Sequence, residues 1–126
     1  MLKFALAAIA VALISQNSFA LECHGTEPFW GATLTEDNLS LQTVDIEGVT
    51  ETKITKVAGA AGMVEEFLQV YSNEDGPVAV VRKTDSCSNG MSDETFPQEI
   101  IILSGDTNLY GCCGEPLPVN DGENSK

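Results

Sequence analysis

Residues 96–112 read FPQEIIILSGDTNLYGC. Two runs of strand-forming residues, 96–103 and 108–112, lie on either side of the turn pair Gly105 and Asp106. Apolar and β-branched runs separated by such a short polar break are typical of neighbouring antiparallel strands. This stretch therefore predicts a β-hairpin, and the rest of the chain is interpreted outward from it.

The same pattern recurs toward the N-terminus, where apolar residues repeat with a period of two between clear turn signals. We predict seven short strands, at 30–36, 39–44, 52–57, 65–71, 78–83, 96–103 and 108–112. Short connections imply that consecutive strands pair antiparallel. The predicted fold is all-β, a small antiparallel barrel or sandwich, and the barrel is favoured because an open sheet would leave exposed edges.

Residues 1–20 have the features of a cleavable signal peptide. Lys3 supplies the positive charge, residues 4–14 are apolar, and Ser18 and Ala20 fit the small-x-small cleavage pattern. The apolar run is too short to span a bilayer. We expect cleavage after Ala20 and a soluble mature chain that is periplasmic or secreted; lipoprotein processing at Cys23 is disfavoured because Glu22 directly precedes it.

The mature chain is predicted to form a single domain over residues 21–113, followed by an acidic tail at 114–126 that we expect to be disordered. Loss of residues 1–20 removes Lys3 and leaves five basic against nineteen acidic residues, a net charge of −14. Such a surface repels phosphates, so nucleic acid is excluded as a partner. It attracts basic proteins, although the charge also serves solubility alone.

All four cysteines, Cys23, Cys87, Cys112 and Cys113, lie in the mature chain, which predicts two disulfides in an exported protein. In an extended strand, Cys112 and Cys113 point to opposite faces and need different partners. Cys23 and Cys87 should each bridge to one of them, with Cys87–Cys112 the favoured pairing; a bridge between the two adjacent cysteines is the strained alternative.

Residues 23–30, CHGTEPFW, form the most distinctive stretch. One interpretation places Trp30 in the barrel core and lets Gly25 and Pro28 shape a turn before the first strand. The other makes Phe29 and Trp30, with Glu27, an exposed patch for a partner.

Residues 85–94 are predicted to form a polar loop between two apolar strands. Asn89, Met91 and Asp93 are its candidate binding residues, while the alternative is a structural loop in which the segment Asn89–Gly90 supplies a tight turn. An EF-hand is rejected, because Cys87 and Phe96 stand where calcium ligands are required and the flanking elements are strands.

We predict no metal site and no cofactor. The chain has no C-x₂-C pair and no Met-rich or His-rich tract, and disulfides would consume the thiolates. No catalytic residues are assigned either, because the single histidine, His24, has no recognisable nucleophile or carboxylate arrangement around it.

Three motifs in order, 23–30 (CHGTEPFW), 87–93 (CSNGMSD) and 111–113 (GCC), resemble an uncharacterised family of small exported proteins in Gram-negative bacteria. The resemblance covers nearly the whole mature domain and implies a periplasmic or envelope location. It brings no activity with it. Asn89 stands where the family more often has Asp, which weakens a cation-binding interpretation of the 85–94 loop.

The sequence-based hypothesis is a non-enzymatic secreted or periplasmic module that binds a ligand or protects the envelope, with a basic protein or an envelope component as its partner. A lysozyme-inhibitor-like protein is the main alternative, because lysozymes are strongly basic. A periplasmic metal-binding protein and an enzyme are the remaining alternatives.

Overall fold

A computed structural model describes residues 20–26, 28–44, 47–64 and 66–118. These ranges contain no helix and form a single antiparallel sheet of nine strands, curled into a half-barrel. The strands are β1 (Leu21–Thr26), β2 (Phe29–Leu34), β3 (Asn38–Thr43), β4 (Thr50–Lys53), β5 (Lys56–Gly59), β6 (Leu68–Asn73), β7 (Gly76–Cys87), β8 (Phe96–Ser104) and β9 (Thr107–Cys113). The all-β prediction is confirmed.

The strand order explains why the sheet must curl. It runs β4-β3-β2-β1-β9-β8-β7-β6-β5, so the two edge strands, β4 and β5, are consecutive in the chain. Only Ile54 and Thr55 separate them, a span of about 10 Å at most at the rise of an extended chain. The edges of the nine-stranded sheet are therefore held close to each other. The Ile54 N–H bonds to the Asp37 carbonyl and the Thr55 N–H to the Ser72 carbonyl, each at 2.9 Å.

The core fills the concave side of the curled sheet. Alternate residues of each strand point inward, as the pleat requires. The largest fully buried aliphatic side chains are Leu34, Leu39, Ile100 and Ile102, and Trp30, Tyr71 and Val81 pack with them. Ile54 is 3% exposed and belongs to the same cluster, so the link between the two sheet edges also contributes to the core.

Two disulfides join the same segments that the sequence analysis selected. Cys23 bonds Cys113 and Cys87 bonds Cys112, so the predicted cross-pairing and the preference for Cys87–Cys112 are both confirmed. Cys113 lies in the main core and Cys112 in a separate cluster, as expected for neighbours on opposite faces of a strand.

The strand prediction was wrong in two places. β1 was missed, because its Gly25 and the following Pro28 were interpreted as a turn before the first strand; Thr26 and Phe29 in fact pair across a hairpin. The predicted strand at 52–57 is two strands, because the chain turns at Ile54 and Thr55 from β3 to β6. The count is nine instead of seven.

The two predicted terminal segments are described only in small part. Residues 1–19 of the predicted signal peptide lie outside the described residues, as do 119–126 of the predicted tail. The start of that tail is attached to the domain: the Gly114 N–H bonds to the Glu22 carbonyl at 3.0 Å, and the Leu117 N–H to the Thr95 carbonyl at 2.8 Å. Within the described ranges, no helix is long and apolar enough to cross a membrane.

Candidate binding surface

Trp30 is a core residue and presents no surface to a partner. It is 6% exposed, and its indole lies against two glycines, Gly25 of β1 and Gly111 of β9. A Cβ at Gly25 would lie 2.0 Å from Trp30 Nε1, and a Cβ at Gly111 would lie 2.6 Å from Trp30 Cζ2. The exposed-patch interpretation is therefore wrong for Trp30. It also follows that Gly25 is needed for close packing and not for a turn.

Phe29 has the opposite orientation and is 56% exposed on the convex, outer face of the sheet. The alternation of β2 places Phe29, Gly31 and Thr33 on this outer face, while Trp30, Ala32 and Leu34 point into the core. Glu27, the third residue of the predicted patch, lies outside the described residues.

The predicted 85–94 loop is shorter than expected, because β7 continues to Cys87 through an irregularity in its pairing with β8. Asp85 has a φ of 58° there, the left-handed conformation that Asp adopts more readily than most residues. After Cys87, the Asn89 side chain accepts a hydrogen bond from the Met91 N–H at 2.9 Å. Met91 and Asp93 are exposed.

The motifs at 23–30 and 87–93 are in contact on the outer face of β1. The Thr26 hydroxyl donates to the Asn89 carbonyl at 3.0 Å, and the Asn89 amide nitrogen lies 3.5 Å from His24 Nε2. The His24 ring also packs edge-on against Phe96, with ring centroids 4.8 Å apart. Asn89 therefore has a structural role in fixing the loop, and the His24 ring is occupied by these contacts.

A small second core lies beneath this loop. Cys87, Cys112 and Phe96 are each at most 5% exposed and form a cluster separate from the main one. Cys112 is also paired with His24 across the β1–β9 ladder. The Cys87–Cys112 disulfide thus fastens the loop to the outer face of the sheet.

A row of four polar side chains with a glutamate at each end crosses four strands on the neighbouring part of the outer face. The register places Glu22, Thr33, Ser40 and Glu51 side by side on β1, β2, β3 and β4. Directly opposite residues on one face have Cβ atoms about 5 Å apart. We call these four residues the acidic row. The sequence analysis missed it, because the register that joins residues so distant in the chain is not visible in the sequence.

Hydroxyl groups hold both carboxylates of the acidic row. The Thr33 hydroxyl lies 3.0 and 3.2 Å from the two Glu22 carboxylate oxygens, and the Ser40 hydroxyl donates to Glu51 Oε2 at 2.6 Å. The Asn38 amide also donates to Glu51. The hydrogen bond from Ser40, followed by that from Asn38, lowers the pKa of Glu51 below its ordinary value. Glu51 is therefore ionised at neutral pH and held in one position.

Two clefts on the outer face share Gly31 and Gln42, and one of them is lined by residues of the acidic row. One, of about 280 Å³, is lined by Phe29, Gly31, Gln42 and Val44, with the backbone of Trp30 and Thr43. The other, of about 250 Å³, lies between Glu22 and Thr33 on one side and Ser40 and Val49 on the other. Among the described residues, no atom outside its chain neighbours lies within 4 Å of the position a Gly31 Cβ would take. Both clefts therefore extend to the uncovered backbone of Gly31.

In the part of the chain that the structure describes, no three His, Cys, Asp or Glu side chains are grouped so that they could hold a metal ion. Comparison with known protein families, curated proteins and solved structures returned no match.

Proposed function

We propose that the protein is a non-enzymatic binding module of the periplasm or the secreted fraction, and that its acidic row captures a basic partner protein. The observation that carries the proposal is the acidic row itself. Its two carboxylates are exposed, yet hydroxyl and amide donors on rigid strands hold them in place. Preorganised charges lose little side-chain entropy on binding.

The charge of the whole chain supports the same conclusion. A formal net charge of −13 gives a long-range field that accelerates association with a basic protein. Phe29, Val44 and Val49 are each more than half exposed and line the two clefts. Exposed apolar groups beside fixed charges are the usual composition of a protein-binding surface.

The enzyme alternative requires His24 to be free to act with carboxylates. Its ring instead contacts Asn89 and Phe96, which favours a structural role. The side chains of Trp30, Leu34, Ile100 and their neighbours fill the concave side of the sheet, which also favours binding at the outer face.

The test compares two charge-matched variants. Glu22→Gln/Glu51→Gln removes two charges from the acidic row, and Glu74→Gln/Asp106→Asn removes two exposed charges from the β6–β7 and β8–β9 turns. Purified c-, g- and i-type lysozymes serve as defined basic partners, and calorimetric titrations at low and moderate salt measure affinity.

We expect at least one lysozyme to bind the parent protein, with an affinity that falls in moderate salt because the interaction is electrostatic. The row variant should bind at least about tenfold more weakly, a loss of about 1.4 kcal/mol, and the turn variant should bind like the parent. A partner recovered from envelope extracts extends the test beyond lysozymes. Equal losses in the two variants would show that net charge acts alone and would refute the row as the site.

A further inference from the structure

The clefts that meet at Gly31 have the shape and surroundings of a pocket for one long side chain. β2 presents Phe29, Gly31 and Thr33 in a line on the outer face, and the middle position of this line is empty. Gly31 lies between His24 and Gln42 in the register, and the His24 ring is turned toward Phe96. The floor of this open groove at Gly31 is thus backbone, with Gln42 beside it.

The two ends of this pocket differ in chemistry. Phe29 and Val44 lie at one end, both more than half exposed, and provide an aromatic and aliphatic wall. At the other end lies Glu22, whose carboxylate is held by Thr33. Gly31 and Thr33 are about 7 Å apart along the strand, a distance that an extended arginine side chain covers.

We propose that this pocket, named here the Gly31 pocket, receives an arginine side chain of the basic partner; the inference rests on the function proposed above. The aliphatic stem crosses Gly31 beside Val49, and the guanidinium group reaches Glu22. Phe29 packs against the start of the same side chain.

Arginine fits this pocket better than lysine for two reasons. Its planar guanidinium donates two parallel hydrogen bonds to one carboxylate, and each Glu22 oxygen keeps acceptor capacity beyond its bond to Thr33. The planar guanidinium is also preorganised, so less side-chain entropy is lost for each hydrogen bond that it forms. The ammonium group of lysine offers only a point charge.

The experiment uses the full chain with pentaarginine, pentalysine and pentacitrulline as probes, and follows the backbone amide resonances of Gly31 and Thr33 by NMR titration. Citrulline has nearly the shape of arginine without its charge. Gly31→Leu fills the pocket at a position where a Cβ meets open space and φ is not positive. Asn108→Leu adds the same side chain at an exposed position of β9 and is the control.

We expect pentaarginine to bind more tightly than pentalysine and pentacitrulline not to bind. Gly31→Leu should weaken pentaarginine binding about tenfold or more, and Asn108→Leu should leave it unchanged. If Gly31→Leu does not fold, Phe29→Ala replaces it; the loss of the aromatic wall should weaken binding about two- to five-fold, because the start of the aliphatic stem is then left exposed to water.

Results that contradict these expectations distinguish a failure of the Gly31 pocket from a failure of the acidic row. If Gly31→Leu binds pentaarginine like the parent while Glu22→Gln/Glu51→Gln does not, the acidic row binds basic groups and the Gly31 pocket is overturned. If neither variant changes pentaarginine binding, both the pocket and the row are overturned. Equal affinities for pentaarginine and pentalysine would also contradict the pocket, because its geometry distinguishes the two.

Discussion

Gly25 of β1, Gly31 of β2 and Gly111 of β9 differ in what the absence of a side chain allows. Gly25 and Gly111 make room for the core: a Cβ at Gly111 would lie 2.0 Å from the His24 carbonyl oxygen, and one at Gly25 would lie 2.0 Å from Trp30 Nε1. Gly31 has no such neighbour and faces outward. Glycine at the first two positions thus serves packing, whereas at Gly31 it leaves surface space free.

Gly111→Ala should therefore destabilise the protein strongly, and Gly31→Ala should not. The new methyl group at position 111 meets a backbone oxygen that cannot rotate away, so we expect a loss of about 3 kcal/mol or more in the free energy of unfolding. At position 31 the change should stay within about 0.5 kcal/mol. Urea unfolding of both variants measures the difference. Equal stabilities would mean that β9 can shift away from β1 without cost.

Tyr71 should make the free energy of unfolding fall as the pH rises into the alkaline range. Burial, and then the negative charge of Glu36, raises the pKa of Tyr71 above its ordinary value near 10. The folded protein therefore holds this proton at a pH where the unfolded chain has lost it. Its stabilising contribution is complete below pH ~10 and is lost as the pH rises through the folded-state pKa.

Tyr71→Phe should remove this dependence. Across the window from pH 9 to pH 11, the free energy of unfolding should fall less steeply for the variant than for the parent, because Phe has no proton to lose. Tyr110, whose pKa is also raised by burial and then by Glu99, remains in both proteins and cancels in the comparison. Urea unfolding at a series of pH values provides the slopes, and parallel slopes would contradict the role of Tyr71.

At the scale of elements, the sequence predicts strands well where alternation is regular and the partner strands are neighbours in the chain. β8 and β9 were placed within one residue at each end, because the break at Gly105 and Asp106 marks the hairpin. Residues 52–57 resemble one strand in the sequence. Only the closure of the sheet, which draws the Ile54 N–H to Asp37 and the Thr55 N–H to Ser72, divides them.

The proposed binding surface was also predictable only in part, because the sequence does not reveal the register and closure of the sheet. Phe29 was identified as a candidate, and its exposed side chain lines the Gly31 pocket. Its neighbour Trp30 was assigned with it, since aromatic character does not reveal which face of a strand a residue occupies. Glu22 and Glu51 are placed in one row only by the register of four strands, a property set by the whole sheet.

The loop after β7 is held from outside the main core, by the Cys87–Cys112 disulfide. Loss of this disulfide should therefore increase the motion of the loop more than that of the sheet. Replacing Cys87 and Cys112 together with Ala should free residues 88–95, while the nine-stranded sheet stays folded, because the main core cluster contains neither cysteine. We expect faster amide hydrogen exchange in the loop and at Thr26, whose hydroxyl bonds to Asn89. If exchange accelerates equally in β3 and β6, the second core is part of the global folding unit.

For the molecule as a whole, the β1–β9 contact is where the N-terminal and C-terminal strands of the domain meet. In the described chain, its ladder consists of two residue pairs, Cys23 with Cys113 and His24 with Cys112, whereas β8 and β9 share seven. The Cys23–Cys113 disulfide spans a sequence separation of 90 residues at this short ladder. Few hydrogen bonds thus hold a junction on which the curvature of the sheet and the position of Glu22 both depend.

Removing this disulfide should lower global stability more than removing the other one. Closure of a loop of about 90 residues restricts the unfolded chain by about 4–5 kcal/mol, against about 3–4 kcal/mol for the 25-residue separation of Cys87 and Cys112. The variant Cys23→Ala/Cys113→Ala also loses buried sulfur atoms from the main core. Such a loss is a large part of the total stability of a domain of this size, so the variant should be partly unfolded at 37 °C.

Urea unfolding of the two double variants, with acidic-row binding measured alongside, compares them directly. A smaller loss for Cys23→Ala/Cys113→Ala than for Cys87→Ala/Cys112→Ala would mean that packing around Trp30 and Gly111, and not the crosslink, holds β1 to β9.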